Sequence, residues 1–479
     1  MNLDIISIIH KFNSVPVGMK AAIAFTVSTF IIKGIAFLVT PIFTRIMDTA
    51  QYGVVATFNS WQTILEVFAL LGLTSAGVFN VGLNEYKENR DQYISSLLVL
   101  CNFVTVIVFG TIYILCWLEM LVLNLPGNLI FLMFLSFLFS PAQVFWITRQ
   151  RYEYKYKLPS LVTIITALVS QIISAYCVCN ILCYEAAEVK LWSSSLILLL
   201  CNVPIYLYLI KKGKTLFDKG IWVNTLYFAL PLLPHYLSQH MMAGFDKILI
   251  SEICSQSEVG IYSLMTTVGM IGTFVWTAIN ASLTPYTFEN INNNSLRNIN
   301  ELTIKLLLFY SLICCYLALF APEILYILAP KEYMVGIYVV PPMVIVAFLG
   351  ALYNIFANIE FYHKATRVIA LATVVASVVN VVTNYTMIPI WGYISAAYSM
   401  LLANVILIII HYFGYRKCQK TRIYDDKKII YIFSFTFVIC MACNILYSDT
   451  LIRYTVIALI TMYFISKRNL VIETFRNRL

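Results

Sequence analysis

Apolar runs of about 20 residues, the length a helix needs to cross hydrocarbon, recur from one end of this chain to the other. Inside hydrocarbon every backbone N–H and C=O must be satisfied by the protein itself, and a helix achieves this within one segment. The runs therefore predict an all-α, polytopic membrane protein with about fourteen transmembrane helices. They fall at 20–45, 52–80, 94–118, 128–148, 158–183, 191–210, 226–253, 258–284, 303–328, 336–361, 367–389, 391–413, 428–447 and 450–466. The connections are short, and none can house the aqueous domain of an enzyme. Composition agrees: 61% of the residues are hydrophobic, 11% are charged and the mean hydropathy is +0.83, far outside the range of soluble domains.

One stretch breaks the apolar pattern. Pro231 to Tyr262 could cross a bilayer, yet it carries Pro231, Pro234, His235, His240 and the adjacent pair Asp246-Lys247. Ionisable groups at membrane depth are costly unless they face protein or a wet cavity, so such groups mark candidate functional positions. Proline lacks the backbone N–H, which predicts kinks at Pro231, Pro234 and Pro341-Pro342.

Lysine and arginine set orientation. With the N-terminus cytoplasmic, the outside connections and helix ends hold only Arg45, Lys190, Lys331 and Arg453, while Lys33 and Lys247 fall inside crossings. The other basic residues, from Lys11 and Lys20 to Lys420, Lys467, Arg468, Arg476 and Arg478, lie inside. An even number of crossings with both termini cytoplasmic is the expectation. The net charge of +9 then reports orientation, and no nucleic-acid partner is expected. The first apolar run is too long for a signal peptide and lacks a cleavage site, so it is the first crossing. The 12 cysteines serve as small apolar residues, since no His or carboxylate in the same helix completes a ligand set with Cys177, Cys179 and Cys183. Neither a metal nor a cofactor is expected.

The two halves share a weak repeat. Aligning Phe43-Thr44-Arg45 with Phe245-Asp246-Lys247 places His235 opposite Lys33, and Tyr52-Gly53 matches Val259-Gly260 after a few extra loop residues. Repeats of this kind are common in transporters that alternate access between two bundles. At a rise of about 1.5 Å per residue, Lys33 and Glu66 both fall near the midplane, where they could pair. His235 has a similar depth, and Arg45 and Asp246-Lys247 sit nearer the outer end.

Pro41-Ile-Phe-Thr-Arg45 before Gln51-Tyr52-Gly53, Leu233-Pro234 before Asp246-Lys247-Ile248, and Ser257-Glu-Val-Gly260-Ile-Tyr262 together resemble the polysaccharide flippases of the multidrug/oligosaccharidyl-lipid/polysaccharide exporter superfamily. Ala329-Pro330-Lys-Glu-Tyr333 before Val340-Pro341, and Asn380 and Asn384 leading to Ile388-Pro389-Ile-Trp-Gly392 and Ala396-Ala397, extend the resemblance to about Tyr415. It implies two pseudo-symmetric six-helix lobes, 1–218 and 219–415, and a segment 416–479 of basic linker, two appended helices and cytoplasmic tail. The implied substrate is an undecaprenyl-pyrophosphate-linked oligosaccharide, an O-antigen or capsule repeat unit. It would move from the cytoplasmic to the periplasmic leaflet of the bacterial inner membrane through a cationic cavity, with proton or sodium coupling. A polysaccharide polymerase and a chain-length regulator are the implied protein partners.

A pyrophosphate crossing the membrane needs cations to replace its hydration. Lys33 is the central candidate, with Arg45, Lys247 and His235 as further substrate-binding positions. Glu66, Asp246 and His240 are the coupling and ion-pair candidates; Glu66 could release Lys33 on protonation. Each has a plainer reading: a structural Lys33–Glu66 pair, helix-end anchors for Arg45 and Lys247, packing for the histidines. Glu360 and His363, near a cytoplasmic helix end, read as solvated. Asn280, Asn354, Asn358, Asn380, Asn384 and Asn404 read either as interhelical glue or as sugar-binding amides. The alternatives to a repeat-unit flippase are a lipid II flippase or a multidrug antiporter of the same superfamily, and, further off, a polysaccharide polymerase or ligase, which would need a long outside loop.

Overall fold

The computed structural model describes residues 16–181, 183–419 and 421–466. Lys11, Lys420, Lys467, Arg468, Arg476 and Arg478, counted above toward orientation, lie outside the described residues. Every expected crossing is helical, and among the described residues there is no strand. The chain packs into two compact units, Met1–Gly260 and Ile261–Leu479.

The first unit holds α1 (Val17–Ile46), α2 (Thr49–Leu70), α3 (Ala76–Glu85), α4 (Arg90–Trp117), α5 (Gly127–Tyr152), α6 (Lys157–Asn180), α7 (Ala186–Gly213), α8 (Lys219–Ala229), α9 (Leu233–Ile253) and the first residues of α10 (Gln256–Gly269). Helices α5 and α6 pack on α7, α1 lies along α6, and α2 is held between α4 and α9. Helices α8 and α9, which form the crossing expected at 226–253, thus pack with this unit.

The second unit continues α10 and adds α11 (Ile271–Asn292), α12 (Leu296–Leu319), α13 (Ala321–Leu328), α14 (Val340–Tyr362), α15 (Thr366–Trp391), α16 (Ser395–Cys418), α17 (Asp426–Leu446) and α18 (Thr450–Ser466). Helix α14 is its axis, packed on α16, α11, α12 and α17. Most of its residues are buried.

Several crossings are broken where the sequence lets the backbone leave the helix. The one expected at 52–80 ends at Leu71, and Gly72 follows with φ +66° before Ser75 caps α3. A side chain is excluded at Gly72 twice over, by the left-handed backbone and by the Tyr236 ring 2.7 Å from where a Cβ would stand. The seventh crossing breaks at a 3₁₀ turn, Leu230–Leu232, which contains Pro231, and Pro234 follows in the first turn of α9. Pro341 and Pro342 do not bend a helix as expected. They stand in the first turn of α14, where a missing N–H has no helical partner to lose.

Among the described residues, eleven stretches are long and apolar enough to cross a membrane. Helices α2 and α9 fall below that hydropathy, and they pack against each other. A helix covered by protein can carry polar side chains that lipid would exclude.

Candidate functional site

Helix α2 is fastened to the start of α10, and farther along to α9, by contacts that only small side chains permit. A Cβ on Gly53 would lie 1.7 Å from the Gln256 carbonyl oxygen, and one on Gly260 would lie 2.0 Å from that of Thr49. The two contacts are reciprocal, since each of these glycines sits four residues after the residue whose carbonyl the other meets. The glycines that the sequence repeat aligned therefore lie against one another. Around them Thr49 Oγ1 and Ser257 Oγ share a hydrogen at 2.6 Å, and Thr57 donates to Gln256 Oε1 at 2.9 Å. Farther along, Gly244 faces Ser60, and the Tyr236 hydroxyl donates to Ser75 at 2.9 Å.

On this framework Glu66 is half-buried, and its Oε1 accepts from Thr74 Oγ1 at 3.4 Å. Helix α1, which carries Lys33, lies along α6 and touches α2 only slightly. Lys33 is exposed on α1, and Arg45, also exposed, donates from Nη1 to the Pro41 carbonyl at 2.9 Å. His235 and His240 are half-buried on α9, and His235 Nδ1 is enclosed without a hydrogen-bond partner. Asp246 is buried, and its Oδ1 accepts the Lys247 backbone N–H at 2.8 Å. Lys247 is half-buried beside it.

Two further sites were not singled out from the sequence. Lys190 of α7, assigned above to an outside helix end, reaches inward over the Phe43 ring at 3.8 Å and the Tyr52 ring at 5.4 Å. The ring faces attract the ammonium electrostatically. Nearby, Gln51 donates to Glu185 at 2.5 Å and accepts from the Ala187 N–H at 3.0 Å, tying α2 to the start of α7. In the second unit, Glu360 is fully buried and bonded to His411, which corrects the solvated reading. The last turn of α14 is covered because α16 presents Gly414 there, leaving room for the carboxylate. His363 is bonded to Gln419 at 2.8 Å. A lone His in the run Ile408-Ile-Ile-His411 was the signal available in the sequence.

The asparagines largely bond one another. Asn280 donates to Asn354 at 3.3 Å, Asn358 to Asn280 at 2.9 Å and Thr284 to Asn358 at 3.1 Å, joining α11 to α14. Asn384 donates to Asn380 within α15 at 3.3 Å, and Asn404 to the Met400 carbonyl at 2.9 Å. The bonds between α11 and α14 favour the glue reading for Asn280, Asn354 and Asn358. No group of three or more His, Cys, Asp or Glu among the described residues could hold a metal ion. A groove of about 510 Å³ in the second unit is lined by Leu349, Phe356, Ile409, Phe413, Ile430 and Phe433, with Tyr412 and Asp426 also in its wall.

The fold built from these broken helices is shared with solved structures. A lipid II flippase, MurJ, in an inward closed conformation superimposes with a TM-score of 0.67, covering 94% of this chain and 100% of its own at 15% identity. A multidrug resistance MATE family transporter of the MOP superfamily, facing inward, gives a TM-score of 0.57 over 80% of this chain and 93% of its own at 13% identity. A Haemophilus influenzae protein of the Lsg locus is 22% identical over 426 residues, 84% of this chain and 99% of that protein. The polysaccharide biosynthesis protein family matches residues 19–291, and the chain belongs to that family.

Proposed function

We propose that the chain is a flippase that carries an undecaprenyl-pyrophosphate-linked oligosaccharide repeat unit, of O-antigen or capsule, from the cytoplasmic to the periplasmic leaflet. The observation that carries this reading is the family match over residues 19–291 in a chain whose fold is that of a lipid II flippase. Translocation would proceed by alternating access between two lobes, 1–218 and 219–415, with 416–479 appended, in the bacterial inner membrane with both termini cytoplasmic. Lys33, Arg45, Lys247 and His235 are the residues proposed to meet the pyrophosphate. Glu66, Asp246 and His240 are proposed to serve ion pairing and proton or sodium coupling. The apolar groove in the second unit suits a substrate with a long hydrocarbon chain.

The test is deletion with complementation in a host that has no redundant flippase. The expected result is loss of surface polysaccharide, with lipid-linked repeat units accumulating on the cytoplasmic side and both defects reversed by the intact gene. Retained surface polysaccharide would overturn the proposal. Normal polysaccharide with loss of peptidoglycan synthesis would instead favour a lipid II substrate.

A further inference from the structure

The end of α5 carries a network of charges. Asp91 accepts from Arg149 and is paired with Lys212 at 3.4 Å, and Glu153 meets Arg149 at 2.9 Å, Lys155 at 2.8 Å and Arg90 at 4.0 Å. Asp91 and Glu153 thus serve Arg90, Arg149, Lys155 and Lys212, and neither is left for Arg151. Among the described residues the Arg151 guanidinium has no anionic partner, and it lies over the ring of Phe25 of α1 at 4.6 Å. A phenyl face attracts a cation but supplies no anionic oxygen for the N–H groups. A phosphate does, through paired hydrogen bonds to the guanidinium fork.

Arg151 borders a cleft of about 340 Å³ between α1 and the end of α5, lined also by Gly18, Phe25, Thr26, Thr29 and Tyr154. Tyr154 stands in the left-handed region at φ +56°, which L side chains rarely adopt, with its N–H bonded to the Arg151 carbonyl at 3.1 Å. This turn lays the Tyr154 ring against α1, where a Cβ on Gly18 would stand 3.2 Å from Tyr154 Cε1. The Thr29 hydroxyl is spent on the Phe25 carbonyl at 2.9 Å. Those of Thr26 and Tyr154 bond no group among the described residues, and both residues are exposed. Arg151, Thr26 and Tyr154 therefore bring unspent donors to one cleft. From there a polar line runs along α1: Thr26, Thr29 and Lys33 recur at helical spacing, so they share one face, and all three are exposed. Lys33 is about 10 Å beyond Thr26 at about 1.5 Å per residue. An ammonium at that depth needs a wet or protein-covered face, and the two threonines lie on the same face.

We propose that this cleft is a phosphate-binding subsite of the first unit, where Arg151, with the hydroxyls of Thr26 and Tyr154, takes up the diphosphate of a lipid-linked substrate before it moves along α1 to Lys33. The proposal rests on the flippase reading above and adds a place of loading to it, built from residues that neither the repeat nor the motifs mark. Its depth suits the ligand. Gly18 stands at the start of the first crossing, expected from residue 20, and Arg151 stands just past the crossing expected at 128–148. That is the level of the polar headgroup layer, where lipids carry their phosphates. A phospholipid phosphate offers the same chemistry; the line from Thr26 to Lys33 is what favours the substrate.

The experiment measures equilibrium binding of farnesyl diphosphate, a short-chain polyprenyl diphosphate, to full-length protein in phosphatidylcholine nanodiscs. Wild type is compared with Arg151→Gln and with Thr26→Val, and the melting temperature of each is recorded. The expected result is binding that weakens roughly tenfold or more in Arg151→Gln, the scale of a hydrogen bond to a charged group, and to a smaller extent in Thr26→Val, at unchanged melting temperature. If Arg151→Gln does not fold, Thr26→Val carries the test, because it keeps the shape of an exposed side chain and removes only the hydroxyl. Wild type that binds no probe, or variants that bind it as wild type does, would overturn the subsite. The flippase reading stands or falls separately on the deletion test above, so the two failures are told apart. With phosphatidylglycerol added to the nanodiscs, the Arg151-dependent binding should persist. Its loss would assign the cleft to phospholipid headgroups and overturn the substrate proposed for it.

Discussion

Substituting alanine for Gly53 tests the contact between α2 and α10 most directly, because the obstruction is backbone. The new Cβ would start 1.7 Å from the Gln256 carbonyl oxygen and 2.7 Å from the carbon of that carbonyl. Neither atom can rotate away, so the two segments must separate by more than 1 Å, roughly, to reach ordinary contact distances near 3.5 Å. Overpacking of a core costs typically about 1–3 kcal/mol, and a fixed backbone obstacle belongs at the upper end of that range. Separation also weakens the Thr49–Ser257 and Thr57–Gln256 bonds, each worth about 1 kcal/mol net. Against this, alanine in a helix interior gains about 1 kcal/mol over glycine. The net loss expected is therefore about 2–4 kcal/mol, and Gly260→Ala should behave the same way, because its Cβ would lie 2.0 Å from the Thr49 carbonyl oxygen. The controls are Gly34→Ala and Gly110→Ala, helix glycines whose Cβ would meet nothing within 4 Å. Thermal melting of the purified proteins, with membrane abundance measured in parallel, should rank Gly53→Ala and Gly260→Ala well below wild type and both controls at or above it. Equal melting temperatures for Gly53→Ala and Gly34→Ala would refute the packing argument.

Glu323→Ala should loosen α18, because Arg453, 4% exposed, donates from Nη2 to Glu323 Oε1 at 2.5 Å and would be left as a buried charge costing about 3–5 kcal/mol; limited proteolysis near Thr450 should accelerate, and an unchanged digestion pattern would count against the anchor. Lys33→Ala should abolish surface polysaccharide without lowering membrane abundance, and a parallel fall in abundance would point to a structural lysine instead. Glu66→Gln should alter the pH dependence of flux in reconstituted vesicles; a profile identical to wild type would remove Glu66 from the coupling scheme. Asp425 caps α17, where the Lys428 backbone N–H and then the Lys428 ammonium hold its carboxyl below the usual range. That cap is present above the ordinary carboxylate pKa and is lost as pH falls through the lowered one. Hydrogen exchange at the start of α17 should therefore rise in acid and in Asp425→Ala, with Asp425→Asn retaining protection because asparagine also caps.

The crossings were legible because length and hydropathy are local properties. The pattern located the helices at 94–118 and 391–413 to within a few residues of α4 and α16. Breaks were legible where a residue forced them, as at Pro231, and were missed at Leu71-Gly72, where the Tyr236 ring from a distant helix fixes the need for glycine. Pro341-Pro342 was misread because a proline pair reads the same in the first turn of a helix as in its middle.

The candidate site divides along the same line. The repeat that matched Gly53 with Gly260 came from sequence, and the reciprocal contact gives it a physical cause: each glycine is the space occupied by the other segment's backbone. The Thr74 hydroxyl as a partner of Glu66 was not legible, since depth along a helix says nothing about which neighbour a side chain meets. Glu66 meets Thr74, while α1 with Lys33 lies along α6.

The sequence by itself determined an all-α polytopic membrane protein, its crossings and the family to which its motifs are similar, because the bilayer imposes a length and backbone hydrogen bonding imposes a helix. Only the tertiary structure decided which polar groups meet: Lys190 with Phe43 and Tyr52, Glu360 with His411, Asn358 with Asn280. Such meetings depend on the rotation of each helix and on its neighbours, and both are settled by close packing between segments far apart in the chain.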